Sequence, residues 1–377
     1  MIIPATIALL FAFTLYYVLF LTFVQSGLKK LSLVPPLNET TMSASVIVAA
    51  RNEEGTIEKC VRAIMNQQYA AERYELIVVS DGSTDRTESI VAGLAATNPR
   101  IRLLTLSADH SRVSHGKPSA ISAGVEAAKG EVILTTDADC IVPPTWIQDM
   151  LQSMQADVAF AAGVVYERPE RTLLSKLAHL EFLGLVTTAA GLIGSRHPII
   201  CNGANLAFRR SSFLAAQGYG ESRTWCDDET LMHRIQKRHL GEIVFVPSPG
   251  ARVETDPARS LVTFWKQRLR WSAQGNHFEG ASTLLTVVGL YFFFVLLLLS
   301  FVGSFFDVQI CICFLIAIAA KIALDYSTLR KGARLFHDRL PVFIFLAAEL
   351  FHVPYVVITA GLGQFSSFSW KGRRITP

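Results

Sequence analysis

The sequence is poor in charge. Asp, Glu, Lys and Arg make up 18% of its 377 residues, and two long stretches, Ile2 to Gln25 and Thr283 to Phe306, have none. About 20 consecutive apolar residues suffice to cross a bilayer as a helix, and a water-soluble chain seldom carries uncharged runs of that length. Cysteine is scarce and unpatterned. The six cysteines form no Cys-x-x-Cys pair, which fits a reducing compartment better than a disulfide framework. None of the nine histidines forms a zinc-like cluster with another His or Cys, so no transition-metal site of the His/Cys kind is expected. The net charge of +4 is small, and much of the basic excess flanks apolar segments, where anionic headgroups attract it. No nucleic-acid partner is expected.

No Lys or Arg precedes the first apolar run, as one would in a cleaved leader; Lys29 and Lys30 follow it instead. This pattern predicts a retained anchor over residues 1–27, with its N-terminus outside and the following domain in the cytoplasm at the inner or plasma membrane. Three further apolar segments follow: Thr283 to Phe306, Val308 to Leu324 with Lys321 inside it, and Leu340 to Gly363 interrupted by Glu349, His352 and Pro354. With three crossings the loop bearing Arg330, Lys331 and Arg334 falls inside. The basic tail Trp370-Lys371-Gly372-Arg373-Arg374 falls outside, against the positive-inside rule. Either the last segment doubles back near Pro354 or the rule fails here. The expected division is an anchor (1–27), a catalytic domain (28–280) ending in an interfacial helix, membrane helices (281–365) and a basic tail (366–377). Leu173 to Ile193 is also apolar, but Lys176, His179 and Glu181 lie near its start. A core or interfacial helix is expected there, because a crossing would separate the acidic motifs on either side of it.

Between the apolar ends the pattern alternates. Ser45 to Ala49, Leu76 to Val79, Ile101 to Leu106 and Val132 to Thr135 read as buried strands. Helical spacing of Ile57, Cys60, Val61, Ile64 and Met65, then of Ile90, Val91 and Leu94, and a helix over Pro118 to Lys129 capped by Gly130, lie between them. Such alternation predicts an α/β fold with a mostly parallel sheet, Rossmann-like in its crossovers, whose ligands bind beyond the carboxyl ends of the strands. The residues there are Arg51-Asn52-Glu53, Asp81-Gly82 and Asp137-Ala138-Asp139.

Asp137 and Asp139 are two apart, so on an extended chain they face the same way. That suits a hard divalent cation, although a lone Asp-x-Asp is common at polar strand ends. Lys117 reads alone as a loop lysine, and Asp227-Asp228 as helix-capping acids before Glu229 to Arg238. Gln267, Arg270 and Trp271 share one helix face by their spacing. Trp271 read alone is equally an interfacial anchor.

Six motifs in order resemble the family 2 glycosyltransferases, which share the GT-A nucleotide-sugar fold. They are Ala49-Ala50-Arg51-Asn52-Glu53-Glu54, Val79-Ser80-Asp81-Gly82-Ser83-Thr84-Asp85, Thr136-Asp137-Ala138-Asp139, Cys201-Asn202-Gly203-Ala204-Asn205, Asp227-Asp228-Glu229-Thr230-Leu231 and Gln267-Arg268-Leu269-Arg270-Trp271. The resemblance implies that Glu53 and Asp81 contact the nucleoside, and that Asp137 sits against ribose and metal. Asp139 would ligate Mg2+ or Mn2+. Lys117, Gln267 and Arg270 would serve the diphosphate or sugar, and Trp271, Asn202 and Asn205 the acceptor. Asp228, with Asp227 as runner-up, would be the general base. Ser122 stands where family members often carry Asn, and Asp227 where they usually carry Glu. The implied reaction moves a hexose, with inversion, from a nucleotide-sugar donor to a lipid or lipid-linked acceptor; the terminal Ser369-Trp370-Lys371-Gly372-Arg373 resembles the tails of bacterial lipid-modifying members. A processive polysaccharide synthase shares the last motif. A non-catalytic nucleotide-sugar-binding scaffold would not need the acids at 81, 137, 139 and 228. A sugar nucleotidyltransferase would carry a glycine-rich loop where Ala49 to Glu53 stand. Oligomeric state is not readable.

Overall fold

The computed structural model describes residues 2–31, 40–106, 116–220, 227–272, 281–364, 368–370 and 373–375. His115, beside Lys117 in sequence, and Lys371 and Gly372 of the tail lie outside them. In chain order the helices are α1 (Ile2–Leu31), α2 (Ile57–Met65), α3 (Thr87–Thr97), α4 (Lys117–Ala127), α5 (Trp146–Gln152), α6 (Leu173–Gly194), α7 (Arg210–Ala215), α8 (Asp227–Lys237), α9 (Leu261–Ser272), α10 (Ala281–Gly303), α11 (Val308–Leu335) and α12 (Val342–Gly363). The strands are β1 (Ala44–Ala50), β2 (Tyr74–Asp81), β3 (Ile101–Leu106), β4 (Val132–Asp137), β5 (Val158–Gly163), β6 (Val165–Glu167), β7 (Leu206–Arg209), β8 (Glu242–Val246), β9 (Val253–Thr255), β10 (Phe368–Trp370) and β11 (Arg373–Ile375).

The chain forms two compact units, one of residues 33–168 and 196–257 and the other of 1–32, 169–195 and 258–377. This differs from the expected continuous domain over 28–280, because α6 and α9 join the helices of the second unit rather than the sheet.

In the first unit a seven-stranded sheet runs in the order β3-β2-β1-β4-β7-β5-β8. It is parallel except at β7, which is antiparallel to both neighbours. All four expected strands and the three expected helices are present. Val46, Ile47, Val48, Leu76, Ile77, Val78, Val132, Ile133 and Leu134 lie fully buried between layers of helices. Each such side chain contributes about 1.5–3 kcal/mol relative to an exposed position. One local expectation fails: α4 ends at Ala127, so Gly130 does not cap it. Gly130 is needed for close approach, since a Cβ there would sit 2.4 Å from the β1 backbone, and its N–H donates to Ser45 Oγ at 2.8 Å.

The second unit is helical. Among the described residues five helices, α1, α6, α10, α11 and α12, are long and apolar enough to cross a membrane. α6 is the most enclosed of them, and it meets α1 through glycines. A Cβ on Gly27 would fall 1.8 Å from the Gly191 carbonyl oxygen, and one on Gly194 would fall 2.5 Å from that of Gly27. Small residues of this kind let helix backbones touch. α12 runs unbroken through Pro354, so the doubling back there is not found. α11 extends to Leu335, so Arg330, Lys331 and Arg334 stand on a helix rather than in a loop. The polar residues that interrupt the apolar pattern meet one another. Lys321 Nζ donates to Asp325 Oδ2 (2.8 Å), Glu349 Oε2 (2.7 Å) and His352 Nδ1 (2.9 Å), and Tyr17 donates to Asp325 Oδ1 (2.5 Å).

Candidate active site

β1 pairs with β2 and β4 in a register that sets Ala49 beside Val79 and Asp137. The segments leaving these three strands therefore share one edge of the sheet. The first two are laced together. Arg51 Nη1 donates to the Asp81 carbonyl at 2.7 Å, Thr84 N–H donates to Asn52 Oδ1 at 2.8 Å, and Glu53 N–H donates to Thr87 Oγ1 at 2.7 Å. Asn52 and Gly82 adopt left-handed backbone (φ 53° and 66°), turning the chain sharply after each strand. Asp81 is buried, and Glu53 keeps a partly open carboxylate whose Oε2 accepts from Thr56 Oγ1 at 3.0 Å.

Beside them lies a second group built from three elements. Lys117 opens α4, and its Nζ donates to Asp137 Oδ1 at 2.5 Å. Asp228 lies in the first turn of α8. Its Oδ2 accepts the Gly203 N–H at 2.6 Å and its Oδ1 accepts the Glu229 N–H at 3.0 Å. Gly203 stands between the two. A Cβ there would lie 2.9 Å from Lys117 Nζ and 3.2 Å from Asp228 Oδ2. Asp228 keeps some exposed surface but is deeply enclosed by protein, and desolvation pushes its carboxyl above the ordinary range. Lys117 and the two backbone N–H groups oppose that shift, and Asp137 adds to it. The result is a carboxylate more basic than a surface aspartate, held by its neighbours in one orientation.

Asp137, Asp139 and Cys140 bring potential ligand atoms within 4.8 Å of one another. Asp139 is exposed and Asp137 partly so, whereas Cys140 is buried and its thiol is pushed well up by burial and by the two carboxylates. A thiol kept protonated is no ligand. The remaining donors are carboxylate oxygens, a set that fits a hard cation such as Mg2+ or Mn2+ that takes further ligands from a phosphate.

The structure thus brings together Lys117, Asp137 and Asp228, with Asp139 adjoining Asp137. It sets Glu53 and Asp81 on the same sheet edge, and Asp227 is the first residue of α8. Asn202 is partly exposed, with its Oδ1 accepting from the Ala204 N–H at 3.0 Å. Asn205 departs from expectation. It has no exposed surface, its Nδ2 donates to the Val164 and Ala251 carbonyls (2.8 and 2.7 Å), and its Oδ1 accepts from Trp146 Nε1 at 2.9 Å. With its amide so engaged, Asn205 ties the sheet to its flanking segments rather than meeting an acceptor. Gln267, Arg270 and Trp271 all lie on α9, in the helical unit. Sequence reasoning gave Gly203 no role of its own, although its place inside Asn-Gly-Ala-Asn, where a side chain would collide, was the available signal.

Residues 132–326 match the profile of "Glycosyl transferase family group 2", and residues 45–215 match "Glycosyl transferase family 2". The poly-beta-1,6-N-acetyl-D-glucosamine synthase of Staphylococcus epidermidis is 24% identical over 87% of this chain and 80% of its own length. The beta-monoglucosyldiacylglycerol synthase of Nostoc sp. is 27% identical over 61% of this chain and 48% of its own length, so the match covers about half of that relative. Among solved structures, a mannosyltransferase from Pyrobaculum calidifontis, in complex with GDP-Man and Mn2+, superposes with a TM-score of 0.57. It covers 95% of this chain and 98% of its own at 18% identity, a likeness of fold.

Proposed function

Since the chain belongs to the family 2 glycosyltransferases, we propose that it transfers one hexose from a UDP-sugar to the hydroxyl of a membrane lipid, with inversion at the anomeric carbon. The observation that carries this reading is the grouping of Lys117, Asp137 and Asp228 around Gly203 at the carboxyl edge of the sheet. The long apolar helices of the same chain support an acceptor that resides in a bilayer.

Asp228 is the base. Its raised basicity suits it to take the proton of an acceptor O–H while that oxygen bonds to the anomeric carbon and the bond to the diphosphate breaks. A position in the first turn of a helix favours the ionised form before the proton arrives. Lys117 offers a donor to the departing diphosphate oxygens. Glu53 and Asp81 are the nucleoside contacts, and Asp137 and Asp139 would hold Mg2+ or Mn2+, which when bound offsets charge on the leaving group. Gln267 and Arg270 serve the donor, and Trp271 and Asn202 the acceptor. With Lys29 and Lys30 in the last turn of α1, the catalytic unit faces the cytoplasm.

A processive synthase is the second reading, favoured by the long match to the poly-N-acetylglucosamine enzyme. Purified full-length chain in lipid nanodiscs containing diacylglycerol, with UDP-glucose or UDP-N-acetylglucosamine and Mg2+ or Mn2+, separates the two. A single β-linked hexose on the lipid supports the proposal; a ladder of additions supports the synthase. UDP-sugar binding with no product from any donor and lipid would sink both.

A further inference from the structure

Arg268 is the second residue of the Gln267 to Trp271 motif. Arg268 is 3% exposed, inside the helical unit. Its guanidinium lies between two rings of its own helix, 4.3 Å from the Phe264 centroid and 4.4 Å from that of Trp271. Arg268 Nη1 donates to Gln267 Oε1 at 2.6 Å, and Nε donates to Glu181 Oε2 of α6 at 2.8 Å. The other oxygen of Glu181 accepts from Tyr355 Oη of α12. Three helices therefore converge on one planar cation. Trp271 is further bordered by Phe182, with ring centroids 6.1 Å apart.

The guanidinium covers one face of the Trp271 indole, which holds the ring, and engages the Gln267 side-chain oxygen.

We infer that Arg268, held by Glu181 and Tyr355, is a positioning residue for acceptor transfer that acts through Trp271. The inference rests on the proposed acceptor role of Trp271. Lysine cannot replace it, because an ammonium neither stacks as a plane nor bonds two acceptors in a fork.

The test is a double-mutant cycle on full-length protein in nanodiscs containing dioleoylglycerol, with UDP-glucose as donor. Arg268→Lys and Glu181→Gln should each raise the acceptor KM by about two- to thirtyfold, the range that exposed to desolvated cation–π contacts span. UDP binding should be unchanged. Tyr355→Phe should shift the acceptor KM in the same direction by less. In a Trp271→Ala background, Arg268→Lys should add nothing further to acceptor KM. Effects that add in full overturn the inference and make Arg268 a structural tie, as does an unchanged acceptor KM in Glu181→Gln. If Arg268→Lys does not fold, Glu181→Gln and Tyr355→Phe against Trp271→Ala decide it. A Trp271→Ala enzyme with wild-type kinetics refutes the acceptor role itself, a distinct outcome.

Discussion

Gly203→Ala isolates the proposed chemistry from the fold. Gly203 does not adopt left-handed backbone, so alanine suits its conformation. The added methyl, however, would lie 2.9 Å from Lys117 Nζ, 3.2 Å from Asp228 Oδ2 and 3.4 Å from Asp228 Cβ. The lysine terminus is flexible and can swing away, giving up its bond to Asp137. Asp228 is less free, because both oxygens accept backbone N–H groups and one of these belongs to residue 203 itself. It yields by a few tenths of an ångström, lengthening the 2.6 Å bond and turning the carboxylate. Small misplacements at a reacting centre cost up to about a hundredfold in rate, so kcat should fall by about ten- to a hundredfold. Stability should change by about 1 kcal/mol or less, the ordinary effect of a substitution that opens no cavity and buries no charge. The assay is UDP release with lipid acceptor present, beside thermal unfolding of the same preparation. Unchanged kcat in a folded variant would refute the argument that the spacing of Lys117 and Asp228 governs transfer. A collapse in thermal stability would show that Gly203 serves packing.

Asp228→Asn should lower kcat by about 10²–10⁴-fold, the usual contribution of a general base, while UDP binding persists. Because burial raises the Asp228 pKa, the ionised base is lost as pH falls through a value above the ordinary aspartate range, so the acid limb of kcat should lie above about pH 4. A limb at or below that range contradicts the assignment. The same sign makes the charged form a destabilising group at neutral pH, which offsets the backbone hydrogen bond that an asparagine amide nitrogen cannot accept. Chelation should abolish transfer, and Asp139→Asn should raise the Mn2+ concentration needed to restore it; wild-type metal dependence in that variant would remove Asp139 from the site. Lys321→Met strands Asp325 and Glu349 without their shared cation and should cost about 3–5 kcal/mol in detergent-solubilised protein, measured by unfolding. A stability equal to wild type would show that the two acids are protonated or hydrated there.

Much of the sheet is legible in the sequence because its signals are local. Runs such as Val46-Ile47-Val48 and Ile77-Val78-Val79 mark strands buried on both faces, and parallel topology then carries the acids after them to one edge. Lys117, Asp137 and Asp228 were readable as polar residues, yet their convergence on Gly203 depends on β4, α4 and α8 meeting, which no spacing encodes. Asn205 shows the reverse difficulty: a motif asparagine looks like a ligand contact until its buried amide is found bonded to Trp146 and two carbonyls. In the helical unit, Lys321, Glu349 and His352 read as flaws in apolar segments. They are tolerated because each lies against another across α11 and α12, a pairing that depends on helix rotation rather than on composition. α11 reaches beyond Leu324, where the apolar run stops, because charged residues end an apolar run without ending a helix.

Mass spectrometry of lipids from cells expressing the chain, beside cells expressing Asp228→Asn, shows whether Asp228-dependent transfer places one hexose on a membrane lipid. A lipid species heavier by one hexose is expected in the first and absent from the second. A ladder of sugar additions, or the same hexosyl lipid in both, would contradict the proposal.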